Sequence, residues 1–177
     1  SEPVAGEPLS FAAGNLVVLH APHALKHRML SEISGFGLRH LGYIGEHAYA
    51  FIVEPDAGAP DWIAERLRMW GLSAGSIDPE AKLGEGIRTF LDAESSSTMD
   101  ISIGFWSEVR PVEAEALVGA GGFPEYTSAV VPFGNPVWVT RSVDRARLRQ
   151  WMASPLVHSI QRTARRTALN VNSCVLA

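Results

Sequence analysis

Leu38-Arg39-His40-Leu41-Gly42-Tyr43-Ile44-Gly45-Glu46-His47-Ala48-Tyr49-Ala50-Phe51-Ile52-Val53-Glu54-Pro55 is the stretch that decides the fold. Two runs rich in β-branched and aromatic residues flank one short polar turn, the pattern of a β-hairpin. Gly45 can take positive φ where the chain reverses, and Glu46 and His47 are poor core residues, so the turn falls there. A candidate helix lies on each side, Ala24 to Ser34 before the hairpin and Asp61 to Trp70 after it, and a short strand lies outside each helix. The order is strand, helix, strand, strand, helix, strand.

Working outward toward the N-terminus, the compact run Leu16-Val17-Val18-Leu19, bounded by Gly14 and Pro22, reads as a buried first strand. Residues 1–14 hold Pro3, Gly6 and Pro8 and have the composition of a loosely held arm. In the first helix Leu25, Met29, Leu30 and Ile33 recur at helical spacing, and Gly35 stops the pattern. In the second, Pro60 suits a helix start, Trp62, Ile63, Leu67 and Trp70 form the stripe, and Gly71 ends it. Ser73 to Asp78 reads as a short edge strand, and 82–90 fits no single pattern. Ser95-Ser96-Ser97, within 92–98, is the most linker-like interior segment, and the division between domains is placed there.

Beyond it the same order returns. Asp100 to Trp106 reads as a strand, Val112 to Ala120 as a helix broken by Gly121 and Gly122, and 126–133 with 136–140 as strands around the Gly134-Asn135 turn. Asp144 can cap a helix running through Trp151, and Leu156 to Arg162 closes the series. Arg66-Leu67-Arg68-Met69-Trp70 is echoed by Arg147-Leu148-Arg149-Gln150-Trp151 at the same place in that order, which points to an internal duplication. The expected fold is therefore α+β, two tandem β-α-β-β-α-β (ferredoxin-like) units over 15–91 and 99–166, each an antiparallel sheet with helices on one face, followed by a tail over 167–177. Such a unit leaves its second sheet face open to water, a twin domain or a partner.

Charge narrows the partners. With 15 Lys and Arg against 19 Asp and Glu, the chain has no basic field for nucleic acid, and no apolar run approaches a bilayer span, so neither nucleic acid nor membrane is expected. Either a removed signal peptide or a trimmed end accounts for the start at Ser1. The lone Cys174 cannot form an intramolecular disulfide.

Catalytic constellations are scarce. No Gly-x-Ser-x-Gly elbow, phosphate-binding glycine loop or dinucleotide fingerprint occurs, and the Glu113 and Glu115 pair reads as part of a solvated helix. His23 and His27, one helical turn apart, could share a metal with His20, but no fourth ligand is evident, and no metal or cofactor is expected. His40, His47 and His158 read as surface residues, and the five tryptophans as core. Arg141, Arg145, Arg147 and Arg149 read as a solvated face or as an electropositive rim for a docking partner.

Leu41-Gly42-Tyr43-Ile44, the following Ala48-Tyr49 and the strand to Val53 resemble the N-terminal propeptides of secreted bacterial subtilisin-like serine peptidases, with Gly45 where a proline is usual. Leu16 to Leu19 is similar to their opening strand, and Asp61 to Ile77 to the helix and strand that follow, although Leu72-Ser73-Ala74 replaces the usual Pro-Gly-Val. Leu148 to Asn170 resembles the end of a second such unit, with Ala168-Leu169-Asn170 where Leu-Leu-Asn is frequent. The resemblance implies a secreted or extracytoplasmic, non-catalytic part of a peptidase precursor. It would assist folding of the peptidase domain of the same precursor and inhibit it until removed. Ser173, Cys174, Val175, Leu176 and Ala177 would lie in the substrate cleft, with Ala177 preceding the scissile bond, and a later cut at the serine run would free the enzyme. The alternatives are a non-catalytic protein-interaction or dimerisation module unrelated to peptidases, and a small metalloenzyme built on His20, His23 and His27.

Overall fold

In a computed structural model, described over residues 11–93, 97–119, 122–125 and 137–163, the hairpin stands where the sequence places it. Strands β2 (Leu38–Gly45) and β3 (Ala48–Val53) pair antiparallel. Gly45 takes φ 126°, and the two turn residues Glu46 and His47 also take positive φ, 48° and 61°. This is the geometry of the tight hairpin turn that matches strand twist, here occupied by two residues with a Cβ. A bulge between His40 and Gly42 turns Leu41 out of the simple alternation.

β1 (Leu16–His20) pairs with β3 on one side and with the three-residue β4 (Ser73–Gly75) on the other, giving the sheet order β2-β3-β1-β4. Helices α1 (His27–Ser34) and α2 (Pro60–Met69) cross one face. There Ile33, Ile63 and Leu67 meet Val17, Leu19, Leu38, Phe51 and Val53 in one buried cluster. α1 begins three residues later than its apolar pattern suggests, because the Tyr49 hydroxyl accepts the Leu25 N–H at 2.9 Å and holds that residue outside the helix.

The second unit repeats the plan. β5 (Met99–Phe105), α4 (Pro111–Val118), β6 (Gly122–Glu125), β7 (Val137–Val143), α5 (Arg145–Ala153) and β8 (Val157–Arg162) form a sheet of order β6-β7-β5-β8, the strand order of the first unit. The fold is α+β, two tandem β-α-β-β-α-β units of ferredoxin-like order, with antiparallel sheets and helices on one face. Asp144 caps α5 as its position predicts, its Oδ1 accepting the Arg147 N–H at 2.8 Å. The strand expected over 126–133 lies outside the described residues, as does the Gly134-Asn135 turn. The strand that fills its place in the sheet starts earlier, at Gly122, which pairs with Thr140 where a helix breaker was expected.

The segment with no clear pattern is where packing departs most from the sequence reading. A 3-10 turn (Pro79–Lys82) and a six-residue helix α3 (Ile87–Asp92) follow β4, and Ile87 and Phe90 enter the core of the second unit beside Leu148 and Trp151. Leu83 bridges Ile160 in parallel, and the Gly84 N–H donates to the Ile160 carbonyl at 2.8 Å, sealing the edge of β8. The sequence places the division at 92–98; ahead of it, Leu83, Ile87, Phe90 and Leu91 pack in one cluster with Leu148, Trp151 and Ile160 of the second unit.

The helix-free faces of the two sheets differ. That of the first unit, with Leu41, Ala50, Leu16 and Ile52, is covered by the β5–α4 loop of the second, where Trp106 and Val109 are buried. On the helix-free face of the second sheet, register brings together Ser102, Gly104, Ser159 and Gln161.

A candidate site between the two units

The cleft between the units is built on the edge strand β2 and the loop that covers it. The Glu108 N–H donates to the Leu41 carbonyl at 2.9 Å, so the loop takes up a backbone acceptor that an edge strand would otherwise expose. Gly42 permits this approach: a Cβ there would stand 3.1 Å from the Ser107 hydroxyl. Arg39, His40 and Glu54 from the first unit and Glu108, Arg110 and Glu113 from the second line an open cleft of about 540 Å³.

Glu113 is the hub of its charges. At the third position of α4 its carboxylate reaches back to accept the Arg110 N–H at 3.0 Å, as in a capping box, and also accepts from the Arg110 guanidinium at 3.0 Å. Across the cleft, Arg39 donates from Nη1 to Oε2 at 3.2 Å and holds Oε1 at 3.1 Å through Nη2, while its Nε lies 2.8 Å from Glu54. The Arg110 guanidinium, its backbone N–H and Arg39 together hold the Glu113 carboxyl down at about 2, against the loss of hydration. Glu113 is thus a charge shared between units and not the solvated helix residue its sequence suggests.

His40 is also not the surface residue expected. Its ring lies 5.3 Å from that of Phe51 and 6.1 Å from that of Tyr49, and its buried Nε2 has no hydrogen-bond partner. Burial lowers its pKa, outweighing the opposing pull of Glu108 and of the Gly42 backbone.

A second polar group lies deeper. Lys82 is 6% exposed, and its Nζ donates to the carbonyls of Met152 at 3.2 Å and Ser154 at 2.7 Å, at the C-terminal end of α5. A cation suits that end of a helix, yet burial pushes the amine down to about 8. Nearby His158, in edge contact with Trp106 at 4.5 Å, is lowered first by burial and then by the Lys82 charge.

The residues singled out in the sequence are mostly elsewhere. Ser173 to Ala177 lie outside the described residues. His20, His23 and His27 are exposed, and His23 precedes α1, so the helical turn that would have aligned it with His27 does not exist. Among the described residues no group of three or more His, Cys, Asp or Glu could hold a metal ion. The basic helix is neither a free rim nor merely solvated. Arg145 donates to the Phe90 carbonyl at 2.7 Å, Arg149 to that of Leu91 at 3.4 Å and Arg147 to that of Val118, so α5 satisfies the open ends of α3 and α4. Trp62 is 47% exposed, against the expectation of core.

No sequence signal links Arg39 to Glu113, 74 positions apart. The one available hint was the acidic residue three positions after Arg110 at a helix start, which marks a cap and not a partner in another unit. Comparison with known proteins finds no matching family model, no matching curated protein and no matching solved structure.

Proposed function

We propose that the chain is the propeptide of a subtilisin-like serine peptidase, a non-catalytic folding assistant and autoinhibitor for the peptidase domain of the same precursor. The observation that supports this reading best is the asymmetry of the two helix-free sheet faces. The first packs against the second unit, whereas the second carries the half-buried Ser102, Gly104 and Ser159 and the exposed Gln161 beside a buried Val139, mostly short side chains on which a partner could seat. Its strand β8 runs at Arg162 into the segment that contains the expected cleft-binding tail, Ser173 to Ala177. A folded peptidase docked there would bury surface at about 25 cal/mol per Å² before ordering costs, and binding only to the folded enzyme would shift its folding equilibrium.

The test is inhibition of the peptidase encoded downstream in the same reading frame, by this chain and by a version ending at Asn172. Strong inhibition that the shortened version largely loses is the expected result. A folded chain that fails to inhibit at micromolar concentration would overturn the reading. A second reading, a protein-interaction or dimerisation module unrelated to peptidases, is favoured by the exposure of Trp62 (47%) and Met69 (68%) on α2. Concentration-dependent self-association, suppressed by charge at Met69, would support it.

A further inference from the structure

We propose that His40 is an acid-sensitive latch on the union of the two units, its neutral ring holding the β5–α4 loop against β2 and its protonation loosening that contact. The geometry stands on three observations. The buried Nε2 has no partner, so the charge of an added proton would be left in a poorly hydrated place. The ring borders the inter-unit cleft, and the next residue, Leu41, accepts the Glu108 N–H that ties the loop to the strand. Opening the cleft would return the ring to water, where protonation is unopposed, so protons favour the open arrangement.

The groups that face His40 decide the sign. From β2 comes Arg39, already engaged by Glu54 and Glu113. From β3 come the rings of Tyr49 and Phe51, which solvate no charge well. From the loop come Glu108, which favours the charged ring, and Arg110, and from α4 comes Glu113, neutralised by its two arginines. Burial outweighs Glu108, so the folded ring binds its proton less readily than the exposed one. The union is then strongest above the ordinary histidine range near 6.5 and weakens as pH falls below it.

This latch is independent of the propeptide reading and is tested on the chain alone. Hydrogen exchange at the Glu108 amide, corrected for its intrinsic pH dependence, reports opening of the loop from β2. Between pH 7.5 and 5 the protection of that amide should fall, by roughly tenfold for each unit separating the closed and open pKa values of the ring. His40→Gln should flatten the fall, whereas His27→Gln, at an exposed position on α1, should leave it in place. Glu108→Gln, which removes the favourable carboxylate and leaves the ring intact, should shift the His40 imidazole titration seen by NMR to lower pH. Unchanged protection across the range, the same fall in His40→Gln, or a His40 ring that titrates at or above 6.5 would each overturn the proposal.

Discussion

The two units share an order of strands and a helix signature, yet the tryptophan that ends that signature has two different fates. Trp151 in the second unit is 1% exposed, donates its Nε1–H to the Leu117 carbonyl at 3.2 Å and lies under the Arg147 guanidinium. Trp70 in the first keeps the arginine, Arg66 at 5.7 Å from its ring, but is only half-buried and stacks on Phe36 at 5.3 Å. The cation-π pair is thus a property of the repeated helix, while depth of burial is set by what each unit has beside it. The second unit has α3 and the 3-10 turn along its helix layer; on the first, α2 leaves Trp62 and Met69 exposed. Duplicated local sequence repeats local contacts, and the segment outside the repeat breaks the equivalence.

The largest test of this contrast is a pair of truncations. Trp151→Ala should destabilise the chain by about 4 kcal/mol, the cost of a large buried cavity, and Trp70→Ala by about 2 kcal/mol. Urea unfolding midpoints check this, and equal losses would mean that burial depth does not distinguish the two sites. A somewhat smaller effect should come from Lys82, which anchors the extra segment to the end of α5. Its folded pKa of about 8 lies below the unfolded value of 10.5, so the unfolded chain binds more protons between them. Stability should therefore rise with pH through that window, by at most about 3.5 kcal/mol at ~1.4 kcal/mol per unit, and Lys82→Met should remove the rise. The difference between wild-type and variant unfolding curves from pH 7.5 to 10.5 is the measurement.

The smallest effect belongs to the first unit alone. Glu46 and His47 pay for their left-handed backbone, and the double change Glu46→Asn with His47→Gly should stabilise the chain by about 1 kcal/mol. Thermal unfolding of the double variant would show a higher midpoint, and no gain would mean that the turn is unstrained.

What the sequence revealed was local. Strand-forming runs around Gly45, the start of α2 at Pro60 and the Asp144 cap were legible because each depends on residues a few positions apart. α3 was not, since six residues contain too few turns for Ile87 and Phe90 to declare a face. Its allegiance to the second unit was further out of reach, because it depends on Leu148 and Trp151. The candidate site was the least legible part. His40 read as a surface histidine because the strand around it holds Arg39 and two glycines, while its ring rests on Phe51 and Tyr49 and borders a cleft shared with another unit. Arginines 145, 147 and 149 looked like a charge run, and only the ends of α3 and α4 explain them.

The way residues 79–92 lie on the second unit changes what a cut in the serine run would do. Peptide cleavage between Ser95 and Ser97 would leave α3 covalently part of the first fragment while its Ile87 and Phe90 stay buried in the core of the second, with Leu83 and Gly84 still along β8. The nicked protein would behave as a pair of complementing fragments, held by a borrowed helix. Severing the chain there would divide the sequence without dividing the fold, and parting the pieces would require the second unit to give up a portion of its own wall.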